Sequence, residues 1–151
     1  MTDQSGDACA WSPDRSGDER KRALLGTPRV VAVVGMSPKP DRPSHYVALY
    51  LKRHGFTIIP VNPTVREVAG LVAYPDLRAI PKDRQVEIVD LFVAPERTMP
   101  VVEQAAEIGA NTIWFQPGAE HGPAEERARA LGLEVISGAC TMGEHERLFG
   151  G

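Results

Sequence analysis

Arg29-Val30-Val31-Ala32-Val33-Val34-Gly35-Met36-Ser37-Pro38-Lys39-Pro40-Asp41-Arg42-Pro43-Ser44-His45 decides the fold of this 151-residue chain. An apolar run rich in β-branched residues ends at Gly35, crosses a polar and basic loop, and enters a helical pattern with Pro43 near its start. β-branched side chains favour extended backbone, and proline is tolerated in a first helical turn, where the amide hydrogen it lacks has no partner anyway. The stretch reads as the first strand, turn and helix of a nucleotide-binding α/β unit. A buried parallel strand delivers the chain to the carboxyl edge of a sheet. Gly35 has no Cβ to keep a ligand from the backbone there. The helix that follows points its unpaired amide hydrogens and positive dipole end at the loop, which favours a phosphate. Ser37 adds a hydroxyl, and Lys39 and Arg42 add positive charge. The loop is neither G-x-G-x-x-G nor G-x-x-x-x-G-K-[ST], so an ordinary strand-to-helix turn, with Pro and Ser merely capping the helix, stays open.

Outward from this stretch the pattern alternates. Residues 1–17 are rich in Ser, Asp and Gly, with scarcely an apolar anchor beyond Trp11, and read as a disordered tail. Residues 18–25 suit a short helix closed by Gly26, expected to cover one edge of the sheet. A helix over 43–54 stops at Gly55, and a second strand over 56–61 ends in Asn62-Pro63. A Rossmann dehydrogenase carries Asp or Glu after its second strand to accept hydrogen bonds from the adenosine ribose, so Asn62 counts against NAD. Residues 64–81 are weakly patterned, with a short extended piece at 71–74 and a helical turn at 75–80. A third strand over 86–93 leads through Ala94-Pro95-Glu96 into a helix closed by Gly109, in which Pro100 marks either the true start or a kink. A fourth strand over 111–116, a helix over 123–131 and a fifth strand over 133–136 complete the series.

Strands alternating with helices predict an α/β fold: a Rossmann-like three-layer sandwich with a five-stranded, mainly parallel sheet, formed by residues 18–151 as one domain. The strand ends at Gly35, Val61, Val93 and Gln116 are then expected to gather around one crevice.

Hydrophobic content of 42%, charged content of 25% and a net charge of −3 are those of a soluble globular protein. Without a Lys/Arg cluster, general nucleic-acid binding is excluded, because it depends on neutralising many phosphates; one small anion is still easily held. No apolar run is long enough to cross a bilayer and the N-terminus is acidic, so the expected compartment is the cytoplasm. Cys9 and Cys140 fit no zinc spacing, and a disulfide between them is not expected because Cys9 lies in the tail.

Several stretches together resemble the small CoA-binding-domain proteins, which are similar to the N-terminal domain of the succinyl-CoA synthetase α subunit. They are residues 31–44, Pro-Val-Asn-Pro at 60–63, Leu-Phe-Val-Ala-Pro-Glu at 91–96, Trp-Phe-Gln-Pro-Gly at 114–118, and the tail around Cys140 and Glu144-His145. The resemblance spans about residues 18–149 and implies a Rossmann-like domain that holds coenzyme A or an acyl-CoA. It implies that Gly35, Met36, Ser37, Pro38 and Lys39 line a diphosphate loop, with Arg42 and Ser44 at the helix entrance. It sets Val61, Asn62 and Pro63 beside the adenosine, Val93, Ala94 and Pro95 against the ligand, and Phe115 and Gln116 along its route. Two departures stand out. Related sequences often carry Arg after the third strand, where this chain has Val93-Ala94, and the chain ends before the synthetase's second domain with its phosphorylated histidine. Synthetase activity is therefore not expected to carry over.

Among candidate catalytic groups, His45 reads as a helix-surface residue beside the phosphate loop, His54 suits a helix C-terminus, and His121 lies in the loop after the fourth strand. If residues 142–148 are helical, Glu144 and His145 do not share a face and are no acid/base pair, while Cys140 reads as a small buried residue. Three function classes follow: a CoA-binding carrier, sensor or partner of a larger enzyme, or a homo-oligomer of that kind; an NAD(H)-binding redox sensor; and an enzyme acting on a CoA thioester through Cys140 or His121. Gly35→Val is expected to abolish binding while leaving the fold, if the glycine serves ligand approach alone.

Overall fold

The computed structural model describes residues 17–150, so the tail with Cys9 and Trp11 lies outside the described residues. Strands β1 (Val30–Val34), β2 (Thr57–Val61), β5 (Ile88–Leu91), β6 (Thr112–Phe115) and β7 (Glu134–Ser137) form one sheet in the order β2-β1-β5-β6-β7. Every pairing in it is parallel. The five expected strands are thus present.

Successive side chains of a strand point to opposite faces, and both faces here are buried, which is why the strands read as unbroken apolar runs. Ala32, Val34, Ile59, Val61, Val89, Leu91, Ile113 and Phe115 share one core, closed by α3 (Thr98–Glu107) and α4 (Gly122–Ala130) through Val102, Ala105, Ala124 and Ala128. Val31, Val33, Ile58, Ile88 and Trp114 face the other way. They pack on α1 (Asp18–Leu25) and α2 (Pro43–Arg53) through Leu24, Leu25, Ala48, Tyr50 and Leu51, and on α5 (Thr141–Phe149) through Met142. Burying each such aliphatic side chain is worth about 1.5–3 kcal/mol, so the two cores carry the stability of the sandwich. The expected edge position of α1 is corrected: its leucines join the core on one face of the sheet, and Arg20 reaches the edge strand at Glu134.

The weakly patterned segment turns out to protect the opposite edge. Strands β3 (Glu67–Val68) and β4 (Leu71–Val72) form an antiparallel hairpin whose turn residues Ala69 and Gly70 both have positive φ, 52° and 79°. This is the backbone a two-residue hairpin requires, and Ala69 hid it because glycine or asparagine is the usual signal. Tyr74 then runs beside β2, donating its N–H to the Pro60 carbonyl and accepting from the Asn62 N–H, so the sheet edge is covered. Pro100 neither starts nor kinks α3: a 3-10 turn at Pro95–Arg97 precedes it, and Pro100 falls in the first turn of a helix that begins at Thr98.

From β1 the chain moves one way to β2 and then jumps back past β1 to β5. The switch point between β1 and β5 is where loops on the carboxyl edge diverge and open a crevice.

Candidate functional site

The floor of that crevice is Gly35, with φ +89°. A Cβ placed there would sit 2.9 Å from the Phe92 carbonyl oxygen and 3.0 Å from a Val93 methyl, both in the loop after β5. The glycine therefore allows the two loops to lie against each other. The expectation that Gly35→Val leaves the fold is corrected, since the missing Cβ would meet protein backbone in a conformation that β-branched residues avoid.

Above the floor, the loop from β1 to α2 is braced by its own polar groups. Ser37 N–H donates to the Ser44 hydroxyl at 2.9 Å, and Lys39 N–H donates to the Ser37 hydroxyl at 3.1 Å. His45 is buried, not on the helix surface, and its Nδ1 donates to the Ser37 carbonyl at 2.8 Å. Asn62 reaches across from β2: its amide donates to the Met36 carbonyl, while its Oδ1 accepts from both the N–H and the hydroxyl of Thr64. Residues read from the sequence as ligand contacts are thus largely engaged in holding the loop still. Such preorganisation lowers the ordering cost of any ligand that binds there.

Three adjoining depressions run along this edge and share Gly35, Phe92, Val93 and Ala94 among their walls. The largest, about 520 Å³, is walled by Val61, Asn62, Pro63 and Thr64 on one side and by Val93, Arg97, Val101 and Gln104 on the other. A bay of about 360 Å³ at the start of α2 is lined by Ser37, Lys39, Arg42, Pro43 and Ser44. A smaller one of about 210 Å³ continues over Gln116, Pro117, Gly118 and Ala119. Among the described residues, the side chains of Lys39, Arg42 and Arg97 have no hydrogen-bond or ion-pair partner.

Of the expected contacts, Gly35, Ser37, Lys39, Arg42, Ser44, Val61, Asn62, Pro63, Val93, Ala94 and Gln116 line this groove. Four do not. Met36 and Phe115 are fully buried in opposite cores, Pro38 is exposed outside the depressions, and Pro95 opens the 3-10 turn without lining them. Gln116 turns its side chain inward, donating to Asp90 at 2.6 Å and to Thr141 at 2.9 Å. Sequence reading missed Phe92, Thr64, Gln104 and Arg97. Arg97 is the most informative of these, because an arginine was sought directly after the third strand. The 3-10 turn brings one back to the cavity from further along the chain.

Beneath the groove, Asp90 is wholly buried against Gln116 and Thr141, and burial pushes its carboxyl up to about 7 against the lowering effect of those two hydrogen bonds. Neither residue named for thioester chemistry lines the groove. Cys140 caps α5 with a side chain 0% exposed, and His121 caps α4, its N–H donating to Glu125. Glu144 and His145 do point apart: Glu144 pairs with Lys21 of α1 at 3.1 Å, whereas His145 Nδ1 shares a 2.7 Å hydrogen bond with the Tyr50 hydroxyl of α2. Burial and the neighbouring His54 hold His145 below the usual histidine range. Among the described residues no cluster of His, Cys, Asp and Glu could hold a metal ion, and no helix is long and apolar enough to cross a membrane.

Residues 29–146 match the family described as the CoA binding domain. The chain belongs to that family. Within it, the chain is 35% identical over 124 residues to the uncharacterized protein YneT of Bacillus subtilis, an alignment covering 82% of this chain and 90% of YneT. The solved structure of a hypothetical protein from Pyrococcus horikoshii OT3 superposes with a TM-score of 0.86 at 42% identity, over 92% of this chain and 98% of that one. A third relative is larger. Subunit alpha of the ADP-forming acetate–CoA ligase II of Pyrococcus furiosus is 28% identical over 134 residues, which are 80% of this chain but only 29% of the ligase subunit.

Proposed function

We propose that the chain binds coenzyme A or an acyl-CoA along the carboxyl-edge groove, as a non-catalytic carrier, sensor or partner of a larger enzyme in the cytoplasm. The observation that carries this reading is the bay at the start of α2. It sets Lys39 and Arg42, two cations without a side-chain partner among the described residues, beside a helix N-terminus and next to a 520 Å³ cavity with mostly apolar walls. A diphosphate suits the bay, where the positive end of the α2 dipole and the two cations act together. An adenosine suits the larger cavity, and the pantetheine arm suits the shallower run over Ala94 and Pro117. Family membership and the likeness to part of a CoA ligase subunit support the same ligand class.

Neither alternative has comparable support. An NAD site of the usual kind needs a carboxylate where Asn62 stands, and Asn62 already spends its oxygen on Thr64. Thioester chemistry at Cys140 lacks a path from the groove to a side chain that is wholly buried. Calorimetric titration of the purified protein with CoA, acetyl-CoA, NADH and ATP tests the reading. Saturable one-site binding of CoA is expected, with NADH and ATP much weaker; absence of CoA binding overturns it.

A further inference from the structure

Two of the groove's free cations share one bay, and the third stands apart from them. Lys39 and Arg42 line the bay at the start of α2, whereas Arg97 lines the larger cavity together with Asn62 and Thr64. A nucleotide carrying a single 5′-diphosphate satisfies the bay alone. Both places are satisfied only by a ligand with phosphate at two separated positions.

The ribose end of the cavity has an unusual balance of charge. In sheets of this topology the residue after the second strand faces the adenosine ribose, and a carboxylate there accepts from free ribose hydroxyls and repels a phosphate. Here that residue is neutral Asn62, whose Oδ1 already accepts twice from Thr64 and whose amide donates to Met36. The carboxylate that does line the cavity, Asp76, caps the 3-10 turn at Leu77–Ala79 by accepting from the Ala79 N–H. Arg97 is exposed and bonds to no carboxylate among the described residues, whereas Arg29, Arg78 and Arg127 each hold one. Its planar guanidinium can meet phosphate oxygens with two parallel hydrogen bonds.

Resting on the CoA reading above, we propose that Arg97 reads the 3′-phosphate of the ligand's ribose, so that the groove separates CoA from nucleotides whose ribose is not phosphorylated. The departure at Val93-Ala94 is then made good by an arginine delivered through the 3-10 turn.

The test measures the affinity of the full chain for CoA and for 3′-dephospho-CoA in the wild type, Arg97→Ala, Arg97→Lys and Lys39→Ala. The two ligands and the variants form thermodynamic cycles in which only the pairing of one side chain with one phosphate survives subtraction. The wild type is expected to prefer CoA by roughly tenfold or more, the worth of one charged hydrogen-bonded contact. Arg97→Ala should lose that preference by weakening CoA alone, and Arg97→Lys should keep part of it. Lys39→Ala should weaken both ligands by the same factor. Since the exposed Arg97 side chain has no hydrogen-bond or ion-pair partner among the described residues, its variants should melt like the wild type without ligand. Equal weakening of both ligands by Arg97→Ala, or no wild-type preference, overturns the role of Arg97 and leaves the CoA reading standing. Failure of the wild type to bind either ligand overturns the CoA reading itself.

Discussion

Lys21 and Lys39 are the same residue type in opposite circumstances. Lys21 is 2% exposed and lies 3.1 Å from Glu144, a carboxylate at 0% exposure that also receives Arg147 at 2.7 Å. Arg147 in turn holds Asp18 at 2.6 Å, so the cluster ties α5 to α1, elements far apart in sequence. Lys39, with Arg42, stands exposed at the carboxyl edge with no side-chain partner among the described residues. Cations that hold this fold have carboxylates of their own, while cations around the groove remain available to an anion from outside. Charge that stabilises the fold and charge left free to meet an anion are thereby kept on different parts of the molecule.

The sharpest way to break this comparison is Glu144→Ala. It leaves Lys21 buried beside a hole, and losing one partner of a buried pair costs about 3–5 kcal/mol, to be read from urea unfolding. CoA affinity of the folded fraction should not change; a coupled loss would join two regions that are separate here. Gly35→Val comes next, at about 3 kcal/mol, from a β-branched residue at positive φ and contact with the Phe92 carbonyl. This variant should lose both stability and CoA binding, unlike a change that only fills ligand space.

Asp90 lies between the two regions and titrates. In the folded chain it keeps its proton up to about 7, against a usual value of 3.8. Between those values the folded state binds more protons than the unfolded one, so the stability this group contributes is complete at low pH and is lost as pH rises through about 7. The loss should be on the order of 3–4 kcal/mol, and Asp90→Asn should flatten that part of the stability–pH profile. An unchanged profile would mean that Asp90 ionises in the folded chain at its ordinary value. Smallest are Lys39→Ala and Arg42→Ala, each expected to weaken CoA binding by about 1 kcal/mol, more at low salt, with unchanged melting of the free protein. Unaltered affinity in both would remove the phosphate assignment from the bay.

Much of the architecture was legible in the residues. The strands show as runs such as Val30 to Val34 because both faces of a parallel sheet are buried, and Gly55, Gly109 and Gly132 mark helix ends through positive φ. The hairpin at 67–72 was missed because its turn uses Ala69 where glycine or asparagine is the usual sign. Most of the expected site positions lie along the groove, while several of their side chains point elsewhere. Met36 and Phe115 fall on strand or loop positions that face a core, and Gln116 finds Asp90 and Thr141 inside.

The sequence by itself determined which segments become the five strands of the main sheet, and that their carboxyl ends carry a glycine, an asparagine and basic residues suited to a phosphate. It could do so because periodicity, β-branching and helix-stopping glycines act over a few neighbouring residues. Only the tertiary structure decided which polar groups are used up and which remain free. Asn62 is bound to Met36 and His45 to Ser37, while Arg97 is carried to the same cavity as Asn62 without a side-chain partner among the described residues. A hydrogen bond depends on distance in space, and the strand order β2-β1-β5 that sets those distances is written in no local stretch of the chain.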